Sequence, residues 1–165
     1  MESLNLKAHK RAVTDSPAIL EKEYREYLTK EKRIKAVTLC FTDIEGRFHM
    51  LDYDKKFLLD NAENLTFDGS SIRGFSLQSE SDLRLGIDWS SIFWLPADIF
   101  GPGKVIFFAN ILSRDRGTYV SDFRGQLQNY AAELNKSKGI TALASAEIEG
   151  LLSIRMPLTR LTGRF

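Results

Sequence analysis

Residues 34–53 hold the pattern that most constrains this chain. IKAVTLCFT (34–42) and RFHMLDY (47–53) are rich in β-branched and aromatic side chains, and only DIEG (43–46) separates them. Such runs favour extended backbone, where branched and ring side chains pack on a pleated surface. A short turn that ends in glycine joins antiparallel neighbours, so the two runs predict a hairpin. SIFWLPAD (91–98) and KVIFFANIL (104–112) predict two more strands, with FGPG as the breaker between them, and ITALASAEIEGLL (140–152) predicts a further one. Helices lie around these strands. Ser16-Pro17 reads as a cap with proline in the first turn, and Leu20, Tyr24, Tyr27 and Leu28 follow on one helical face. The basic side chains Arg25, Lys30, Lys32, Arg33 and Lys35 read as the solvated end of that helix. Residues 54–66 read as a short helix or loop. Ser121 or Asp122 caps a second helix with Phe123, Leu127, Tyr130, Ala131 and Leu134 on one face, and Gly139 closes it. Residues 1–15 lack apolar periodicity and are expected to be flexible.

Composition narrows the function classes. A chain of 165 residues allows one domain, or one domain and a fragment of another, and 43% hydrophobic residues are enough for a core. A net charge of +1 offers no basic surface for a nucleic acid. Cys40 is the single cysteine and lies in an apolar run, which predicts a buried thiol and no internal disulfide. No apolar run approaches the ~20 residues that span a bilayer, and MESLNLKAHKRAVTD lacks the apolar centre of a signal peptide. A cytoplasmic protein with no nucleic-acid or membrane partner is expected.

Three places could carry chemistry. Glu147 and Glu149 on a strand would share a face at roughly 6.5–7 Å. Two such carboxylates can each hold a divalent ion, and ions about 3.5–4 Å apart suit phosphoryl transfer; magnesium favours oxygen ligands of this kind. The spacing alone equally describes two acids on the wet face of an edge strand. FDGSSIRGF (67–75) could present backbone N–H groups to an anion. It is no P-loop, since Gly-Lys-Ser/Thr is missing, and no nucleophile elbow, since Gly-x-Ser-x-Gly is missing. Ser70 or Ser71 would need a nearby base, and the two histidines are His9, in the irregular start, and His49, in mid-strand. On chemistry alone the loop reads as a turn. Asp43 at the hairpin tip reads as a turn aspartate bonded to its own backbone.

The order of these signals says more than any one of them. FTDIEG (41–46), FDGSSIRGF (67–75), ESD (80–82) and PAD (96–98) precede a helix and then Glu-x-Glu at 147–149. Over about residues 16–152 this wording resembles the N-terminal part of glutamine synthetase, and Phe-Asp-Gly-Ser-Ser-Ile is its most specific element. The resemblance implies an α+β fold: a β-grasp, ubiquitin-like mixed sheet packed on helices over residues 16–115. The first helix and strand of a catalytic domain would follow over 116–152, and a divergent tail over 153–165. It implies that Asp43 helps to bind ammonium and take its proton across a subunit interface. The loop Phe67, Asp68, Gly69, Ser70 and Ser71 would lie at that interface as a shape-complementary contact. Both Asp43 and the loop are then expected to be exposed in the isolated chain. Glu147 and Glu149 would be the first metal ligands of the catalytic domain. The family's cofactors are Mg2+ (or Mn2+) and ATP, its substrates glutamate, ammonia and ATP, and its assembly a homo-oligomeric ring.

The departures carry weight as well. Asp122-Phe123-Arg124 stands where the family has Asp-Pro-Arg, AEIEG lacks the aromatic residues that usually follow, and no match continues past Leu152. The remaining metal ligands, the ATP site and the glutamate-binding arginines fall outside the match. The isolated chain is therefore expected to bind no cofactor and to be inactive. Two alternatives stay open: a non-catalytic interaction protein built on the same domain, and a ligase that joins another amine to glutamate.

Overall fold

The computed structural model describes residues 2–96, 103–147 and 149–150. The elements are α1 (Glu2–Thr14), α2 (Pro17–Lys30), β1 (Ala36–Thr42), β2 (Phe48–Asp54), α3 (Lys55–Asn61), β3 (Thr66–Asp68), β4 (Asp82–Ile87), β5 (Phe93–Trp94), β6 (Lys104–Leu112) and α4 (Phe123–Lys138). One mixed sheet runs in the order β2-β1-β6-β4-β3, and β5 also pairs with β6. β1 and β2 are antiparallel, in a register that places Phe41 opposite His49. β1 and β6 are parallel, and the other pairs are antiparallel.

The period of two explains where the core sits. Val105, Phe107, Ala109 and Ile111 of β6 alternate inward, as do Val37, Leu39 and Phe41 of β1 and Leu83 and Leu85 of β4. Helix α2 covers that face with Leu20, Tyr24 and Leu28 buried, as their helical spacing predicts. Tyr24 meets Phe107 edge-on at 6.4 Å, and the Trp94 indole donates to the Tyr27 hydroxyl at 3.0 Å. β1 is buried on both faces, so Thr38 and Cys40 are covered as well. Burial pushes the Cys40 thiol up to about 11, which makes it a packed, unreactive group.

The hairpin and β6 lie where the sequence places them. Four expectations change. Residues 2–14 form a helix with Ala8 buried. The Asn5 side chain accepts from the Trp94 backbone N–H at 2.8 Å and donates to the Trp94 carbonyl at 3.2 Å. An edge strand leaves such groups without ladder partners, and one amide side chain matches both. The expected strand over 91–98 contracts to Phe93–Trp94, and residues 97–98 lie outside the described residues. Residues 140–147 of the expected strand over 140–152 are exposed and irregular, because no described strand lies alongside to take up their backbone hydrogen bonds; 148, 151 and 152 lie outside the description. The last change concerns α4. The helix forms under its Asp122 cap, with Gly139 closing it at φ +66. Its apolar face does not bury: Phe123, Leu127 and Tyr130 remain exposed, because α4 meets the sheet mainly through its first turn.

Candidate functional site

The site is built from the end of β1 outward. After Thr42 the chain turns through Asp43-Ile44-Glu45-Gly46, with Gly46 at φ +77, a conformation that favours glycine. Asp43 N donates to the Arg47 carbonyl at 3.1 Å and Gly46 N to the Asp43 carbonyl at 3.0 Å. The Asp43 carboxylate then closes the turn a second time. Its Oδ1 accepts from Glu45 N and Arg47 N, each at 2.9 Å, and its Oδ2 lies 2.8 Å from His49 Nε2. The hydrogen bond from His49 is the largest influence that holds the Asp43 carboxyl below the usual carboxylate range, and the two turn amides add to it. Phe41 sets the imidazole: the two rings stack at 5.0 Å with 16° between their planes.

Asp43 is 4% exposed, which corrects the expectation of an exposed side chain. A turn aspartate that accepts three hydrogen bonds is drawn in among its donors. His49, which the sequence places only in mid-strand, is the residue that sequence reasoning misses. A signal for it existed: once Phe41 opposes His49, Asp43 lies two residues beyond Phe41 on the same face, one diagonal step from His49.

Phe67 and its loop come to the same place. Phe41 packs on Phe67 at 4.8 Å, Phe67 on Phe75 at 6.2 Å, and Phe75 on Tyr119 at 5.8 Å. At the rim, Gly74 (φ +71) passes so close to Ile44 that a Cβ there would sit 3.1 Å from Ile44 Cδ1. Hairpin tip and loop therefore form one surface. Within the loop, Asp68 accepts from Ser70 N at 2.9 Å, Ser70 Oγ at 2.6 Å and Ser71 Oγ at 2.5 Å. These bonds hold its carboxyl below the usual range. Both hydroxyls thus donate to a carboxylate that these same bonds make a weaker base, and neither is activated as a nucleophile. Asp68, Ser71, Arg73 and Gly74 are exposed, whereas Gly69 and Phe75 are buried. The loop is thus anchored at two points and open between them, which limits its expected exposure to its crest.

Glu147 and Glu149 lie in the exposed segment after α4 and belong to no strand. Among the described residues no three His, Cys, Asp or Glu side chains gather as a metal-ligand set. Magnesium requires about six oxygen ligands, so two exposed carboxylates do not fit a complete ion site.

A mixed sheet under one long helix, with an aspartate locked into the tip of its first hairpin, defines a β-grasp domain. Residues 33–113 match the sequence profile described as glutamine synthetase, beta-Grasp domain, so this segment is a β-grasp domain of the glutamine synthetase family. It is 31% identical over 148 residues to the glutamine synthetase of Archaeoglobus fulgidus, covering 86% of this chain and 30% of that protein. It is 28% identical over 123 residues to that of Thermotoga maritima, covering 74% of this chain and 28% of that protein. The chain thus spans under a third of the length of these relatives. Among solved structures, a Plasmodium falciparum glutamine synthetase superposes with a TM-score of 0.62 at 22% identity, over 70% of this chain and 22% of its own. A GmaS/ADP complex follows with a TM-score of 0.59 at 21% identity, over 67% and 25%. Likeness at these identities shows the fold. No helix among the described residues is long and apolar enough to cross a membrane.

Proposed function

We propose that this chain is the N-terminal portion of a glutamine synthetase-like, ATP-dependent glutamate–ammonia ligase, inactive by itself. In this reading the β-grasp domain presents Asp43 to a neighbouring subunit's catalytic domain within a homo-oligomeric ring in the cytoplasm. The observation that carries it is the Asp43 carboxylate, kept ionised by three donors at the tip of the first hairpin. A carboxylate so held attracts a small cation; because its donors also make it a weaker base, a proton passes to it only as the ligation consumes the ammonia released. Ammonium bound there loses one N–H proton to Asp43 and is left as ammonia, the nucleophile that glutamate–ammonia ligation requires. The crest of the 67–75 loop, beside the hairpin tip, is the surface that meets the neighbouring subunit. ATP and a divalent ion would supply activation of the glutamate carboxylate; Glu147 and Glu149 would serve that ion beside ligands from the remainder of a catalytic domain.

A domain exchange tests the reading. Residues 1–150 of this chain replace the matching segment of the Archaeoglobus fulgidus relative, and glutamine formation from glutamate, ammonia, ATP and magnesium is followed. The chimera is expected to make glutamine, whereas the isolated 165-residue chain makes none above a heat-killed control. Asp43→Asn in the chimera is expected to lower turnover by about a hundredfold or more, the usual scale of a positioned proton acceptor. A chimera of unchanged assembly whose Asp43→Asn form turns over as fast as its parent would sink the proposal.

A further inference from the structure

A carboxylate offers about four acceptor positions. In Asp43 two on Oδ1 are filled by the Glu45 and Arg47 amides, and one on Oδ2 by His49. One position on Oδ2 is left. Asp43 is 4% exposed and the His49 side chain 30%, so the imidazole is the accessible half of a pair whose carboxylate is covered. Phe41 on the opposite strand fixes the plane of that imidazole. Ring position and free acceptor are therefore linked through one hydrogen bond.

We propose that His49 is a positioning residue for Asp43. As neutral imidazole it donates Nε2–H to Oδ2 and aims the remaining acceptor position at an incoming small cation. As imidazolium it pairs with the carboxylate and keeps that cation out. The cation half of the proposal rests on the reading of Asp43 as an ammonium site. In the step itself an ammonium N–H bond breaks and its proton goes to Oδ2, while His49 keeps its own Nε2 proton throughout.

The surroundings leave His49 as the group that can act this way. Imidazole changes charge between about pH 5 and pH 8. Glu45 and Arg47, at the turn, pair with each other at 2.8 Å. The loop packed on the turn brings Asp68, held by Ser70 and Ser71, and Arg73, which is exposed. β1 and β3 contribute Phe41 and Phe67, which carry no charge. Because the Asp43 carboxyl lies below the usual range, it stays charged at about pH 5.

The test uses the full chain labelled with carbon-13 and nitrogen-15. One arm follows the Asp43 carboxyl carbon against pH. His49→Phe keeps a ring to stack on Phe41 and removes the donor, and it is expected to move the Asp43 midpoint up toward the ordinary carboxylate value. His49→Gln, which restores a donor, is expected to bring the midpoint back down. An unmoved midpoint in His49→Phe overturns the positioning role. The other arm adds ammonium chloride, against sodium chloride of equal ionic strength, and reads the Glu45 and Arg47 amides. The natural chain is expected to respond at about pH 8 and to lose the response at about pH 5, while His49→Gln responds at both. A His49→Gln chain that falls silent at low pH as the natural one does overturns the gate. A natural chain silent to ammonium at both pH values, beside the expected carboxyl midpoints, overturns the gate in this chain, while the ammonium reading of Asp43 is judged by the chimera. His49's hold on the carboxylate then stands.

Discussion

Gly69→Ala tests why the Asp-Gly-Ser-Ser motif contains its glycine. No unusual backbone angle is at issue, since Gly69 is not among the glycines with positive φ. The constraint is space. A Cβ on Gly69 would lie 2.6 Å from Leu83 Cδ1, 3.1 Å from Leu83 Cγ and 2.8 Å from Ser76 Oγ. Carbon atoms rest at about 3.5–4.0 Å, so Leu83 must retreat by about 1 Å. It has little room: Leu83 is 2% exposed and belongs to the core beneath the loop. Forcing a methyl group into a filled core costs about 1–3 kcal/mol, and with Leu83 as the obstacle about 2 kcal/mol is expected. For a chain of this size that lowers Tm by about 4–8 °C. The diagnostic measurement is a double-mutant cycle in urea. Leu83→Val alone opens space and is expected to cost about 0.5–1.5 kcal/mol. In the Gly69→Ala background the same change relieves the clash, so the pair is expected to be more stable than the sum by at least about 0.5 kcal/mol. Additive effects, or a Gly69→Ala chain as stable as the natural one, would refute the packing argument and return the glycine to an unexplained part of the motif.

Two further outcomes follow from the same coordinates. Asp43 and Asp122 pull stability in opposite directions with pH. Asp43's carboxyl is lowered, foremost by His49, so its contribution is present above the unfolded value of about 3.9 and lost as pH falls through the folded one. Asp122's is raised, foremost by burial, so its contribution is present below about 3.9 and lost as pH rises through the folded value. Urea melts at about pH 3 and pH 7 should show the deficit of Asp43→Asn growing toward neutral pH. Asp122→Asn, whose side-chain oxygen can still accept from Ile111 N and Gly125 N, should gain on the natural chain over the same interval; differences independent of pH would refute both. Asn5→Ala removes two hydrogen bonds from the Trp94 backbone and should cost about 1–2 kcal/mol. Faster hydrogen exchange at the Trp94 amide is the local signature, and unchanged exchange would detach α1 from the edge strand.

Local rules sufficed for the hairpin, for α2 and for the end of α4. The hairpin around Asp43 was legible because two β-rich runs flank a turn closed by glycine, and α2 because its apolar residues recur at helical spacing. The end of α4 was legible because Gly139 alone can close it cheaply. Asp43 itself could be picked out from its place in Phe-Thr-Asp-Ile-Glu-Gly. Its burial could not, because that depends on where His49 lands, and the landing is set by the register of β2 against β1. The short strands β3 and β4 went unread for a related reason: three to six residues carry too little pattern, and their extension is stabilised by pairing with each other and with β6. Residues 140–147 show the converse, since a β-rich run remains irregular when no described strand offers its edge. The same contrast holds at the loop. Asp-Gly-Ser-Ser announced a special turn, but only the folded chain brings Leu83 against Gly69, turns both serine hydroxyls onto Asp68, and stacks Phe67 on Phe41 so that loop and aspartate share one surface. Sequence set the local geometry through backbone preference and periodicity; tertiary structure chose the partners, because hydrogen bonds and packing between distant residues exist only once the sheet has fixed its register.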